Sequence, residues 1–180
     1  MPVYRVDSQR SRIVVRARSS VHDTSTTWSQ ITGQLDADAA TLDSAGATGS
    51  FQVDMMSYDA GDWLKNRKLK KDFDLPGHPT ATFELQQVSD VKPAGPAASG
   101  DAPGSEAARF SATAIGLLRW RGKELTVTVR GDGQMTGDAL HADGAFELDI
   151  RQLGLQPPRF LMFKVEDEVT VEITIHARAV

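Results

Sequence analysis

The side chains able to do acid–base, nucleophilic or metal chemistry are few in this sequence, and they are scattered. Four histidines, His22, His78, His141 and His176, fall in four separate segments, and no ligand spacing joins them. Each reads as a structural or surface histidine. The 180 residues contain no cysteine, which excludes disulfides, thiolate metal sites, iron–sulfur clusters and a cysteine nucleophile. Glu166, Asp167 and Glu168 follow Lys164, and paired acids could do general acid–base work, but such a run reads as solvated charge leading into the last strand. His22-Asp23 sits among Ser19, Ser20, Thr24, Ser25 and Thr26. Triad members converge from distant segments, so this stretch reads as a polar turn. No G-x-S-x-G elbow, P-loop, H-E-x-x-H or dinucleotide fingerprint occurs. The expectation is a protein that is not an enzyme, with no catalytic residue and no metal site.

One charged segment carries more information. Asp59 to Phe73 contains good helix formers and no β-branched residue, and Pro76-Gly77 follows it, so a short helical insertion is expected near 60–73. Trp63, Leu64, Leu69 and Phe73 are its larger apolar groups, and Lys65, Arg67, Lys68, Lys70 and Lys71 crowd the rest. The cations read as a solvated face, or else as an anchoring patch at the rim of a pocket, facing an anionic headgroup.

Everything else that could position these groups is strand. Ile13, Val15 and Ala17 alternate with polar residues, as do Ile31, Gly33 and Leu35, then Phe51 and Val53, then Phe83 and Leu85. Phe110, Ala112, Ala114, Gly116, Leu118 and Trp120 form one face of a long run. Leu125, Val127 and Val129 follow, then Phe146, Leu148 and Ile150, and lastly Val169, Val171, Ile173 and Ile175. A period of two with one apolar face marks half-buried antiparallel strands. Arg121-Gly122-Lys123, Gly131-Asp132-Gly133 and Asp143-Gly144 read as the turns between runs. With an opening strand near Val3–Val6 the total is eight to nine strands, enough for the sheet to close into a barrel.

A net charge of −4 argues against a nucleic-acid partner, and no apolar run is long enough for a transmembrane helix. The opening MPVYRVDSQR lacks the three parts of a signal peptide. The expected location is therefore the cytoplasm if Met1 is the native start, and the periplasm if a leader has been removed. Residues 92–108, rich in Pro, Gly, Ala and Ser, read as a flexible loop inside a single domain spanning 1–180.

An eight-stranded barrel with an apolar inner face is either filled by its own side chains or holds one apolar ligand. Ala17, Gly33, Ala112, Ala114 and Gly116 are small inward candidates that would leave room.

Three stretches, in order along the chain, resemble the YceI family of bacterial polyisoprenoid-binding-like proteins. They are YRVDSQRSRIVVRARSSVH, then NRKLKKDFDLPGHPTATFEL, then FSATAIGLLRWRGKELTVTV with the closing FELDIRQLGLQPPRFLMFKVEDEVTVEITIHA. The segment Asn66-Arg67-Lys68-Leu69 lacks the histidine common before that leucine in the family. The resemblance implies an all-β, extended lipocalin-like eight-stranded antiparallel barrel. It also implies a homodimer and non-enzymatic binding, transport or sequestration of a long apolar, isoprenoid-type lipid such as a polyprenyl or quinone-like molecule. The alternative is a filled barrel acting as a stress-related interaction module through its surface or dimer face. For the first reading the expected lining is Ile13, Val15, Phe51, Val53, Phe83, Phe110, Trp120, Val127, Val129, Phe146 and Leu148, with Phe160, Leu161 and Phe163 as lid or mouth.

Overall fold

The computed structural model describes residues 2–43, 46–94, 107–156, 159–160 and 163–180, with backbone alone at 159–160 and 163–164. The alternating runs form twelve strand segments of one antiparallel sheet that closes on itself as an eight-stranded barrel. In chain order they are β1 (Val3–Val6), β2 (Arg12–Ser19), β3 (Thr24–Trp28), β4 (Ile31–Asp36), β5 (Thr48–Asp54), β6 (Tyr58–Asp59), β7 (Thr80–Pro93), β8 (Ala108–Trp120), β9 (Lys123–Thr136), β10 (Ala139–Asp149), β11 (Arg159–Phe160) and β12 (Phe163–Ala179). One helix, α1 (Trp63–Asp72), lies between β6 and β7.

Segments outnumber barrel strands because three of the strands are broken and the two-residue β11 pairs only with β12, off the barrel path. β1 and β2 both pair with β12, Val6 opposite Ala177 and Arg12 opposite Thr174, so one side spends six residues where the other spends three. The buried Ser11 holds this bulge, its hydroxyl donating to the His176 carbonyl at 3.2 Å and accepting from the His176 N–H at 2.9 Å. β3 and β4 break at Ser29-Gln30, and β5 and β6 at the 3-10 turn Met55–Ser57. Ser57 Oγ bridges these two breaks, accepting from the N–H groups of Ser29 at 3.3 Å and Gln30 at 3.1 Å. Closure comes from β1, which pairs with β4 on one side and β12 on the other. No edge is left along that seam.

Between β8 and β9 the turn is the expected Arg121-Gly122, both at positive φ (57° and 71°), the backbone of a primed hairpin turn. The other two expected turns are corrected. Gly131-Asp132-Gly133 lies inside β9 and Asp143-Gly144 inside β10, and the chain reverses at Gly137-Asp138 instead. Those glycines are there for close approach: a Cβ on Gly131 would stand 2.0 Å from the Asp143 carbonyl oxygen. The acidic run Glu166–Glu168 also falls within β12 rather than ahead of it. β7 keeps Lys92 and Pro93 in register with Ser111 and Phe110; of the expected loop, residues 95–106 lie outside the described residues.

α1 begins on Asp62, whose carboxylate accepts from the Lys65 N–H at 2.8 Å, and ends as the Phe73 N–H bonds back to the Leu69 carbonyl at 3.0 Å. Leu69 and Phe73 point into the barrel end, and Leu75 behind them is completely buried. Two apolar clusters result. One, at the α1 end, gathers Trp28, Met55, Leu69, Phe73, Leu75, Trp120, Leu148, Ile150 and Leu153. The other, at the far end, gathers Tyr4, Ala37, Leu42, Ala47, Leu85, Met135, Leu140 and Ala177.

Phenylalanines cover inward glycines on neighbouring strands. A Cβ on Gly116 would stand 2.3 Å from the Phe83 ring, one on Gly133 2.5 Å from Phe110, and one on Gly33 3.0 Å from Phe51. Gly33 and Gly116 therefore do not leave empty space. They let aromatic rings lie against the wall. Gly116→Val is expected to push Phe83 off this seat and destabilise the barrel by about 1–3 kcal/mol, the usual range for overpacking, read as a lower urea midpoint.

Candidate ligand-binding lumen

The barrel interior is not filled. A cavity of about 230 Å³ occupies the half of the lumen away from α1. Ile13, Ile31, Leu35, Phe51, Val53, Phe83, Leu85 and Val88 line one side of it. Phe110, Ala112, Ala114, Val129, Met135, Leu140, Ala142, Ile173 and Ile175 line the other, and Leu42 and Ala47 from the β4–β5 connection cover its end. Apart from Asp132 and Asp143, every lining residue is apolar or glycine. The Asp143 carboxylate is itself turned away, accepting from Thr174 Oγ1 at 2.9 Å and lying 3.0 Å from His141 Nε2. Such a wall offers a ligand dispersion and desolvation, with almost nothing to hold a charge.

Of the residues expected to line the interior, Ile13, Phe51, Val53, Phe83, Phe110 and Val129 meet around this cavity. Val15 lines a smaller void of about 60 Å³ beneath α1, with Ala17, Trp28, Lys65, Leu69 and Phe73. Trp120 and Leu148 lie in the packed cluster at the α1 end, with Phe146 against it, and Val127 is buried outside the cavity wall. Leu161 and the side chains of Phe160 and Phe163 lie outside the described residues. Sequence reasoning passed over Leu42 and Ala47, which belong to no alternating run. Ile173 and Ile175 were legible as one face of β12, yet nothing marked how deep in the barrel they sit.

The α1 end is closed by hydrogen bonds as well as by packing. Trp28 Nε1 donates to the Met55 carbonyl at 3.2 Å and Trp120 Nε1 to the His78 carbonyl at 2.9 Å. The Arg121 guanidinium bonds the Phe73 carbonyl and lies 5.7 Å from the centre of the Trp120 indole. Two strand-borne indoles and one turn arginine thus pin the inserted segment 55–78 across the opening.

Among the described residues, the chemistry-bearing side chains that meet do so on the outer surface. His141 and His176, cross-strand partners on β10 and β12, stack with centroids 4.3 Å apart. Burial first, then the neighbouring His141 and Arg10, lowers the His176 pKa from its ordinary 6.5, against weaker opposing pulls from Asp143 and Asp7. The unfolded chain therefore takes up this proton first. Stability is expected to fall as pH drops from about 6.5 toward the folded-state value, and His176→Asn should flatten that fall in urea titrations between pH 5 and 8. Glu168 is held above the usual carboxylate range, chiefly by its hydrogen bond to Glu147 and then by that neighbour's charge. Both acids are exposed on the β10–β12 wall, and neither lines a cavity. Among the described residues no three His, Asp or Glu side chains converge as a metal site, and no helix is long and apolar enough to cross a membrane.

A closed antiparallel barrel of eight strands, capped by one helix and hollow with an apolar wall, belongs to the lipocalin-like class of β-barrels. Within that class, the sequence profile of the YceI-like domain matches residues 4–177, and the chain belongs to this family. Crystal structures of the same fold include BcnA of Burkholderia cenocepacia, at 22% identity and TM-score 0.72, covering 95% of this chain and 98% of that one. A polyisoprenoid-binding domain from Saccharophagus degradans, implicated in plant cell wall breakdown, aligns over the full length of both chains at 12% identity and TM-score 0.71. The YceI protein of Campylobacter jejuni covers 85% of this chain and 83% of its own at 10% identity and TM-score 0.61. A search of curated protein sequences found no match.

Proposed function

We propose that the barrel binds and carries, without chemical turnover, an isoprenoid-type or similarly apolar lipid whose chain enters the lumen. The observation that carries this reading is the cavity of about 230 Å³ with an apolar wall, in a barrel small enough to have been filled by its own side chains. That volume lies below the ~300–1,000 Å³ of pockets for drug-sized ligands, so it suits a segment of one narrow chain rather than a bulky ring system. Each buried methylene contributes about 0.8 kcal/mol, and a stretch of ~8 methylenes contributes about 6 kcal/mol before the cost of association. The family relationship and the polyisoprenoid-binding domain that shares the fold support an isoprenoid chemistry for that chain. A homodimer belongs to the same reading.

Ile13, Phe51, Val53, Phe83, Phe110 and Val129 are the side chains proposed to touch the ligand, together with Ala112, Ala114, Ile173 and Ile175. The alternative of a filled barrel acting only through its surface has the cavity against it. Titration of delipidated protein with a fluorescent polyprenyl or quinone-type probe tests the proposal. Saturable uptake at one probe per barrel is the expected outcome; no uptake by the delipidated, folded protein would refute it.

A further inference from the structure

The exposed apolar side chains of this protein are not evenly spread. Among the described residues five large apolar side chains are exposed, and four of them, Val21, Met56, Trp63 and Leu64, lie at the end of the barrel that α1 covers. Trp63 is 72% and Leu64 54% exposed, although Leu69 and Phe73 of the same segment are buried. The helix thus presents an indole and an isobutyl group to solvent at its first turn, with no structural partner for either among the described residues.

The charges around them have been sorted by the fold. Asp62 caps the helix and lies 4.0 Å from Lys65, and Asp72 pairs with Lys68 at 3.1 Å. Asp59 accepts from the Gly61 N–H at 2.9 Å, and Asp74 stands 3.9 Å from His78. Arg67, Lys70 and Lys71 are exposed and make no ion pair among the described residues. Three uncompensated cations beside an exposed tryptophan and leucine form a patch, on a chain whose net charge is −4. A merely solvated helix face has no use for Trp63 and Leu64, and a protein-binding face of ordinary composition would be depleted of lysine. Amphipathic indole at headgroup depth, a leucine beside it and flanking cations are what an anionic bilayer surface binds.

We propose that the α1 end is a peripheral docking surface for an anionic lipid bilayer, with Trp63 and Leu64 entering the headgroup layer and Arg67, Lys70 and Lys71 facing lipid phosphates. The docking does not require a loaded lumen and so stands apart from the carrier reading. It would set the barrel on end against the membrane, its large cavity in the half turned away.

The test is cosedimentation of delipidated protein with vesicles of phosphatidylcholine alone and of phosphatidylcholine with phosphatidylglycerol. The expected result is binding to the anionic vesicles only, released by raised salt, with a blue shift of tryptophan emission. Trp28 and Trp120 are buried, so that shift reports Trp63 and should vanish in Trp63→Ala. The triple variant Arg67→Gln, Lys70→Gln, Lys71→Gln should lose on the order of a hundredfold in partitioning, at roughly fivefold per cation near an anionic surface. None of these side chains is in the core, and unchanged circular dichroism checks that the variants fold. Failure of the wild-type protein to bind anionic vesicles, or equal binding by the triple variant, would overturn the proposal. Uptake of a polyprenyl probe in the absence of vesicles would remain intact in either case, which separates this failure from failure of the carrier reading.

Discussion

Replacing Ala114 by phenylalanine is expected to abolish loading of the lumen while leaving the barrel folded. Ala114 sits on β8 with Val88 opposite on β7 and Val129 opposite on β9, and all three line the cavity. A phenyl ring at this position projects into the cavity and displaces a matching stretch of ligand chain. Each methylene excluded removes about 0.8 kcal/mol, so displacing ~3 of them weakens binding by roughly fiftyfold. The ring meets a void rather than a packed core, and the usual overpacking cost of about 1–3 kcal/mol is largely avoided. The check is probe uptake beside a urea titration. Lost uptake with a retained midpoint is the expected outcome; undiminished uptake would place the ligand elsewhere.

Trp120→Ala should do the reverse. Trp120 is on the same face of β8 as Ala114, but it lies in the packed cluster at the α1 end, with its indole N–H bonded to the His78 carbonyl at 2.9 Å. Truncation removes a large buried side chain, at about 3–5 kcal/mol for such a change, and strands a carbonyl that the inserted segment relies on. The urea midpoint should fall steeply. Probe uptake by the folded protein, measured well below the transition, should be unchanged. Loss of uptake with little loss of stability would show instead that this indole touches the ligand.

The contrast between these two positions shows what could be read in the sequence. Alternation told which side chains of β8 face inward, and strand count told that the sheet closes. Depth along the barrel axis carries no periodic signal, because Phe110, Ala114 and Trp120 obey one rule of two. Which of them meets open space depends on where segment 55–78 folds across the end, and that is set by Trp28, Trp120 and Arg121 binding its carbonyls. The breaks at Ser29-Gln30 and Met55–Ser57 were hidden for a similar reason, since the hydroxyl of Ser57, within the second, holds the first across the sheet. Small inward residues were a mixed guide: Ala112 and Ala114 border the cavity, whereas Gly33 and Gly116 are covered by the rings of Phe51 and Phe83. Only contacts across strands distinguish a glycine that opens space from one that seats an aromatic ring.

The most direct measurement is native mass spectrometry of the protein as purified, followed by organic extraction and identification of what is released. One apolar lipid per barrel is the expected result, lost on extraction and restored by incubation with polyprenyl or quinone-type lipids. A protein that emerges ligand-free, and takes up no such lipid afterwards, would contradict it.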